Sequence, residues 1–121
     1  MALVLIVDDS PTEVHVLRQY LENNGYETEA AEDGSEGLNK ARALKPDLVL
    51  MDIVMPGMNG FQATRELARD PDTARIPVLM VTTKGDETDR IWGMRQGAAD
   101  YIVKPVTESQ LVDKVRSVLE D

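Results

Sequence analysis

Short apolar runs and helical stripes alternate five times along this chain. Leu3-Val4-Leu5-Ile6-Val7, Leu48-Val49-Leu50-Met51, Pro77-Val78-Leu79-Met80-Val81-Thr82 and Tyr101-Ile102-Val103-Lys104 are almost unbroken by polar residues. Such runs suit strands buried on both faces of a parallel sheet, with helices covering each side. A fifth strand, Glu27 to Ala31, offers only Thr28, Ala30 and Ala31 for burial. An edge position explains so thin a pattern.

Helices fill the intervals. Ser10-Pro11-Thr12-Glu13 combines an N-cap serine, proline at the first helical position and glutamate three residues after the cap. Val14, Leu17 and Leu21 follow at helical spacing until Asn24-Gly25 supplies a stop. Asp33-Gly34 opens a second helix that ends near Leu44 before Pro46-Asp47, and the third strand then runs from Leu48 to Asp52. Asn59 caps a third helix with Phe61, Thr64, Leu67 and Ala68 on one face. A fourth starts after Lys84-Gly85-Asp86-Glu87 and stops at Gly97. Thr107-Glu108-Ser109-Gln110 repeats the capping box, and Leu111, Val115, Val118 and Leu119 form the last stripe. With right-handed crossovers, this alternation predicts a doubly wound α/β fold whose site lies beyond the carboxyl ends of the strands.

The chain's 121 residues suffice for one domain with its own core, so residues 1–121 are expected to form a single unit with no output domain. The absence of cysteine excludes disulfides and thiolate chemistry and fits a reducing cytosol. Thirteen Lys and Arg face 22 Asp and Glu, and the formal net charge of −9 opposes attraction to nucleic acid or an anionic membrane. That charge also favours a soluble monomer. Met1-Ala2-Leu3-Val4 carries no basic leader, and no apolar run approaches the ~20 residues of a membrane span. A cytoplasmic protein is expected.

The strand ends carry the chemistry. Asp8 and Asp9 close the first run, Asp52 the third, Thr82 the fourth and Lys104 the fifth. A single acid at a strand end needs no special explanation, but three at one edge of a parallel sheet do. At ~4 Å and an effective dielectric near 20, each like-charge pair repels by roughly 4 kcal/mol. A hard, oxygen-preferring divalent cation offsets that repulsion, and Mg²⁺ suits few carboxylates and several waters better than Ca²⁺ does. A hydroxyl and an ammonium beside such a cluster point to an anionic, oxygen-rich ligand, for which phosphate fits best.

The motifs Val7-Asp8-Asp9-Ser10, Met51-Asp52-Ile53-Val54-Met55-Pro56-Gly57-Met58-Asn59-Gly60, Val81-Thr82-Thr83 and Tyr101-Ile102-Val103-Lys104-Pro105 together resemble a CheY-like receiver domain of a two-component response regulator. The resemblance covers essentially the whole chain. It implies a flavodoxin-like (βα)5 fold with strand order 2-1-3-4-5. It further implies that Asp52 is the phosphoacceptor, taking its phosphoryl group from a phosphohistidine on a histidine kinase. Asp9, Asp52 and the Val54 backbone carbonyl would bind Mg²⁺ directly, and Asp8 through water. Lys104 would pair with a phosphoryl oxygen, and the Lys104-Pro105 bond would be cis. Thr82 would hydrogen-bond the phosphoryl group and move toward it, letting Tyr101 turn inward.

The same resemblance places the output surface on the fourth helix, fifth strand and fifth helix, at Arg90, Trp92, Met94, Arg95 and Tyr101. Trp92 is the sole tryptophan, and such residues commonly end up partly buried in a core. His15, the only histidine, lies inside the first helix with neither a second histidine nor a dedicated acid nearby, so it reads as structural and the phosphohistidine must come from another protein. Val81-Thr82-Thr83-Lys84 through Trp92-Gly93-Met94-Arg95-Gln96-Gly97, with Asp9-Ser10-Pro11-Thr12-Glu13, is similar to the pilus-associated regulators of twitching motility. That implies a stand-alone regulator in a chemotaxis-like pathway acting on the type IV pilus, and a signalling switch that at most catalyses its own phosphorylation and dephosphorylation.

Two alternatives use the same residues differently. A phosphate sink would employ Asp52 only to drain a kinase. A Mg²⁺-dependent phosphohydrolase of the doubly wound type would place a second aspartate two residues after its nucleophile, where this chain has Val54.

Overall fold

Each continuous apolar run becomes a strand, and its period-two alternation divides the side chains between two cores. The structure, a computed structural model, describes residues 1–120. Its elements are β1 (Leu3–Val7), α1 (Pro11–Glu22), β2 (Glu27–Ala31), α2 (Gly34–Leu44), β3 (Leu48–Met51), α3 (Gly60–Arg69), β4 (Val78–Thr82), α4 (Glu87–Arg95), β5 (Asp100–Val103) and α5 (Glu108–Glu120). The five strands are parallel, in the order β2-β1-β3-β4-β5. The weak second strand lies at an edge, as its poor apolar content requires.

Val4, Ile6, Leu48, Leu50, Leu79 and Val81 pack on one face with Leu17 and Leu21 of α1 and Leu111 and Val115 of α5. Their neighbours Leu5, Val7, Val49, Met51, Val78 and Met80 face the opposite way, against Leu38 and Ala41 of α2 and Ala63 and Leu67 of α3. Burying a large aliphatic side chain contributes roughly 1.5–3 kcal/mol. The central strands therefore anchor both layers.

Several details differ from the sequence reading. β3 ends at Met51 and β5 runs from Asp100 to Val103, so Asp52 and Lys104 each stand one residue past their strands. The buried stripe of α3 is Gly60, Ala63, Thr64 and Leu67; Ala68 is exposed, because the helix meets the sheet slightly rotated from the expected face. At α1, Ser10 Oγ accepts from the Glu13 amide at 3.3 Å, but no reciprocal bond from the Glu13 side chain closes the box.

The cap of α3 is complete: Asn59 Oδ1 accepts from the Gln62 amide at 2.9 Å, and Gln62 Oε1 accepts from the Asn59 amide at 3.0 Å. Asn59→Ala is expected to cost about 1 kcal/mol of stability, read as a lower urea midpoint at unchanged slope. An unaltered midpoint would mean the cap contributes nothing.

Candidate functional site

Register brings the strand-end residues together. Val7 of β1 lies level with Met51 of β3, so the chain leaves both strands at one height. The Asp52 amide still donates to the Val7 carbonyl at 3.0 Å, and the Asp8 amide to the Ala31 carbonyl at 3.1 Å. On the other side, Thr82 pairs with Val103, and the Lys104 amide donates to the Thr82 carbonyl at 2.8 Å. Asp8, Asp52, Thr82 and Lys104 thus share the C-terminal edge of the sheet.

Glycine at position 60 lets the next helix start directly on this edge. The Gly60 amide donates to the Ile53 carbonyl at 2.9 Å, and a Cβ there would lie 2.0 Å from the Asp52 carbonyl oxygen. Only a residue without a side chain permits that approach. The loop from Ile53 to Asn59 is consequently drawn tight under Asp52.

One carboxylate oxygen from each of Asp8, Asp9 and Asp52 falls within 4.8 Å of the others. Asp8 is 3% exposed and Asp52 9%, whereas Asp9 faces solvent. Lys104 Nζ lies 2.7 Å from Asp8 Oδ2 and 3.9 Å from Asp52 Oδ2. The Ile53 amide donates to Asp52 Oδ1 at 2.8 Å, leaving Oδ2 toward the ammonium. One lysine cannot balance three carboxylates, and an oxygen-only donor set with residual negative charge fits a hard divalent cation.

The electrostatics follow from burial and this crowding. Burial pushes the Asp52 carboxyl above its ordinary value; Lys104 pulls it back, Asp8 raises it further, and the Thr82 hydroxyl and Ile53 amide lower it. For Lys104, burial opposes the charge, but the hydrogen bond to Asp8 and the negative charges of Asp52, Asp8 and Glu13 outweigh it. Its ammonium is held above the ordinary lysine value. The Lys84 amide donates to Thr82 Oγ1 at 3.3 Å, which leaves the hydroxyl proton free to donate.

The family model for the response regulator receiver domain matches residues 4–116. This chain belongs to the response regulator receiver domain family. Protein PilH of Pseudomonas aeruginosa is 57% identical over 119 residues, covering 98% of each chain. The DNA-binding response regulator MtrA of Mycolicibacterium smegmatis is 40% identical over 116 residues, which are 96% of this chain and 50% of that protein. Among solved structures, chemotaxis protein CheY4 of Vibrio cholerae superposes with a TM-score of 0.92 at 34% identity, covering 98% of both chains. The response regulator domain of Thermotoga maritima CheB gives 0.88 at 31% identity, covering 100% of this chain and 98% of that one. The flavodoxin-like fold with strand order 2-1-3-4-5 is therefore that of its relatives.

Receiver domains are signalling modules that work by phosphoryl transfer. In this one the residues expected at the switch separate into two groups. Tyr101 is only 2% exposed, and its hydroxyl donates to the Lys84 carbonyl. Burial, reinforced by the charge of Asp89, pushes its phenol up to about 12, so it stays a donor at neutral pH. Its ring packs against Gly93, where a Cβ would come within 3.2 Å of it, and under Arg90 at 5.4 Å from the centroid. Tyr101 is thus inside the molecule, not on its surface.

Arg90, Trp92, Met94 and Arg95 are exposed, and of the residues of α4 only Gly93 is buried. Trp92, at 44% exposure, is no core residue. The one position of α4 that is buried, against Met80 and Tyr101, is its neighbour Gly93. His15 is exposed on α1, and Val54 follows Asp52 by two residues with its side chain in solvent. The Lys104-Pro105 bond is cis.

One site residue escaped the sequence reading. Glu13 Oε2 lies 3.8 Å from Lys104 Nζ. Its position three residues after Ser10 pointed to capping and hid its contact with a lysine 91 positions away.

Proposed function

We propose that this receiver domain is a stand-alone phosphorylation switch in which Asp52 accepts a phosphoryl group from the phosphohistidine of a histidine kinase. The observation that carries the reading is the meeting of Lys104 with Asp8 and Asp52 at one sheet edge, beside Asp9 and Thr82. Asp52 Oδ2, the oxygen not held by the Ile53 amide, forms the new bond to phosphorus as the phosphorus–nitrogen bond breaks and the imidazole leaves with its electron pair. Lys104 then carries the charge of the transferring oxygens, in a site already aligned before reaction. Asp9, Asp52 and the Val54 carbonyl would hold Mg²⁺, with Asp8 acting through water; the bound ion would supply electrostatic stabilisation of the transferring group.

The 57% identity with PilH over 98% of each chain supports the stand-alone reading. It also supports the pathway read from the sequence, a chemotaxis-like system controlling the type IV pilus, with a protein partner docking on the exposed face of α4. Trp92, Met94 and the two arginines supply the aromatic and cationic anchors common in such interfaces.

A phosphate sink is the second reading: it would use the same acceptor, Asp52, and needs no change at the α4 face. Trp92 separates the two readings, being the sole tryptophan and exposed on α4. With acetyl phosphate and Mg²⁺, a switch changes Trp92 fluorescence in wild type, whereas Thr82→Ala gains the same phosphoryl mass with little spectral change. Equal changes in both proteins would remove Thr82 from the coupling. No change in phosphorylated wild type would favour the sink.

A further inference from the structure

The first helix begins with a cap that is only half closed. Ser10 Oγ accepts from the Glu13 amide, but the Ser10 amide donates to Asp8 Oδ1 at 2.9 Å. The backbone donor that would hold the Glu13 carboxylate in a reciprocal box is already engaged. Glu13 therefore turns toward Lys104 Nζ at 3.8 Å, with its side chain 45% exposed. It places a negative charge at the solvent mouth of the site, on the same ammonium that meets Asp8 and Asp52 from within.

We propose that Glu13 is a specificity-determining residue: its carboxylate shields Lys104 from solvent-borne anions and disfavours small phosphodonors in proportion to their negative charge. This rests on Asp52 being the phosphoacceptor. With acetyl phosphate, a dianion, an Asp52 oxygen bonds to phosphorus while the phosphorus–oxygen bond to acetate breaks and acetate leaves with the electron pair. With phosphoramidate, a net monoanion whose nitrogen is already protonated, the phosphorus–nitrogen bond breaks and neutral ammonia leaves. Both donors deliver the same group to the same oxygen. A fixed charge at the mouth acts on the approaching donor, so its influence scales with donor charge and fades as salt screens it.

The test compares labelling rates by intact mass at saturating Mg²⁺ and low salt for wild type, Glu13→Gln, Glu13→Asp, Glu66→Gln and Asp52→Asn. Glu66, exposed on the second half of α3, controls for the loss of one negative charge anywhere on the surface. Glu13→Gln should react about fivefold faster with acetyl phosphate but only about twofold faster with phosphoramidate, and both gains should collapse near roughly 0.5 M salt. Glu13→Asp, which keeps the charge, should stay close to wild type. Equal acceleration with both donors, no acceleration, or the same effect from Glu66→Gln would overturn the role of Glu13. Absence of labelling on wild type, or labelling that survives Asp52→Asn, would instead overturn the phosphoacceptor reading and this proposal with it.

Discussion

Replacing Gly60 by alanine is expected to destabilise the protein by about 3 kcal/mol, a fall in melting temperature of roughly 10 °C. The added Cβ would sit 2.0 Å from the Asp52 carbonyl oxygen and 2.8 Å from the Ile53 Cα, both backbone atoms that cannot swing aside. Either α3 must lift from the sheet edge or the peptide after Asp52 must rotate. Both movements shift the Asp52 carboxylate relative to Lys104, so phosphoryl uptake should fall even below the melting transition. Thermal unfolding followed by circular dichroism, with labelling rates taken 20 °C or so below it, reads the two effects separately. A variant that melts with wild type would show that α3 can withdraw freely.

The second large effect belongs to Lys104→Met. Removing the ammonium leaves Asp8 and Asp52 at the buried edge with no ion-pair partner among the described residues. Breaking one side of a buried ion pair typically costs 3–5 kcal/mol, and about 3 kcal/mol is expected here in the presence of a chelator. Millimolar Mg²⁺ should recover part of that loss, since any cation that binds only the folded cluster stabilises it by mass action. Transfer from acetyl phosphate should nevertheless remain about 100-fold slow, because the charge on the transferring oxygens has lost its fixed counterpart. Unchanged stability in chelator would show that the carboxylates find another way to disperse their charge.

The layout was legible in the sequence wherever burial acts on both faces of an element. Leu3–Val7 and Leu48–Met51 are apolar throughout, and Val78–Thr82 is apolar up to its last residue, because helices cover them on both faces, and that demand admits few other sequences. Glu27–Ala31 was legible as an edge for the converse reason: with a single neighbour, β1, it has little to bury. α4 was opaque. Of its residues it buries only Gly93, so no apolar stripe marks the inward face, and Ile91, Trp92 and Met94 could as well have been core. The family resemblance placed Trp92 and Met94 on an output surface, and the structure exposes both, but the helix's own pattern could not have placed them there.

The site divides along similar lines. Parallel strands must end at a common edge, so Asp8, Asp52, Thr82 and Lys104 could be gathered from their places after apolar runs. The inward seat of Tyr101 was not legible, because strand alternation allows either side and the choice depends on the space left by Gly93. Glu13 was hidden by a competing role. Capping grammar explained its position so fully that nothing in the local sequence showed the Ser10 amide to be engaged by Asp8.

Asp52 as the phosphoryl acceptor is the claim on which every other statement of function depends. The most direct measurement is intact-mass analysis after incubation with acetyl phosphate and Mg²⁺, run side by side on wild type and Asp52→Asn. The account predicts one added phosphoryl group on wild type, lost when Mg²⁺ is chelated before the donor is added, and none on Asp52→Asn. An unlabelled wild type under conditions that label another receiver, or equal labelling of both proteins, would contradict it.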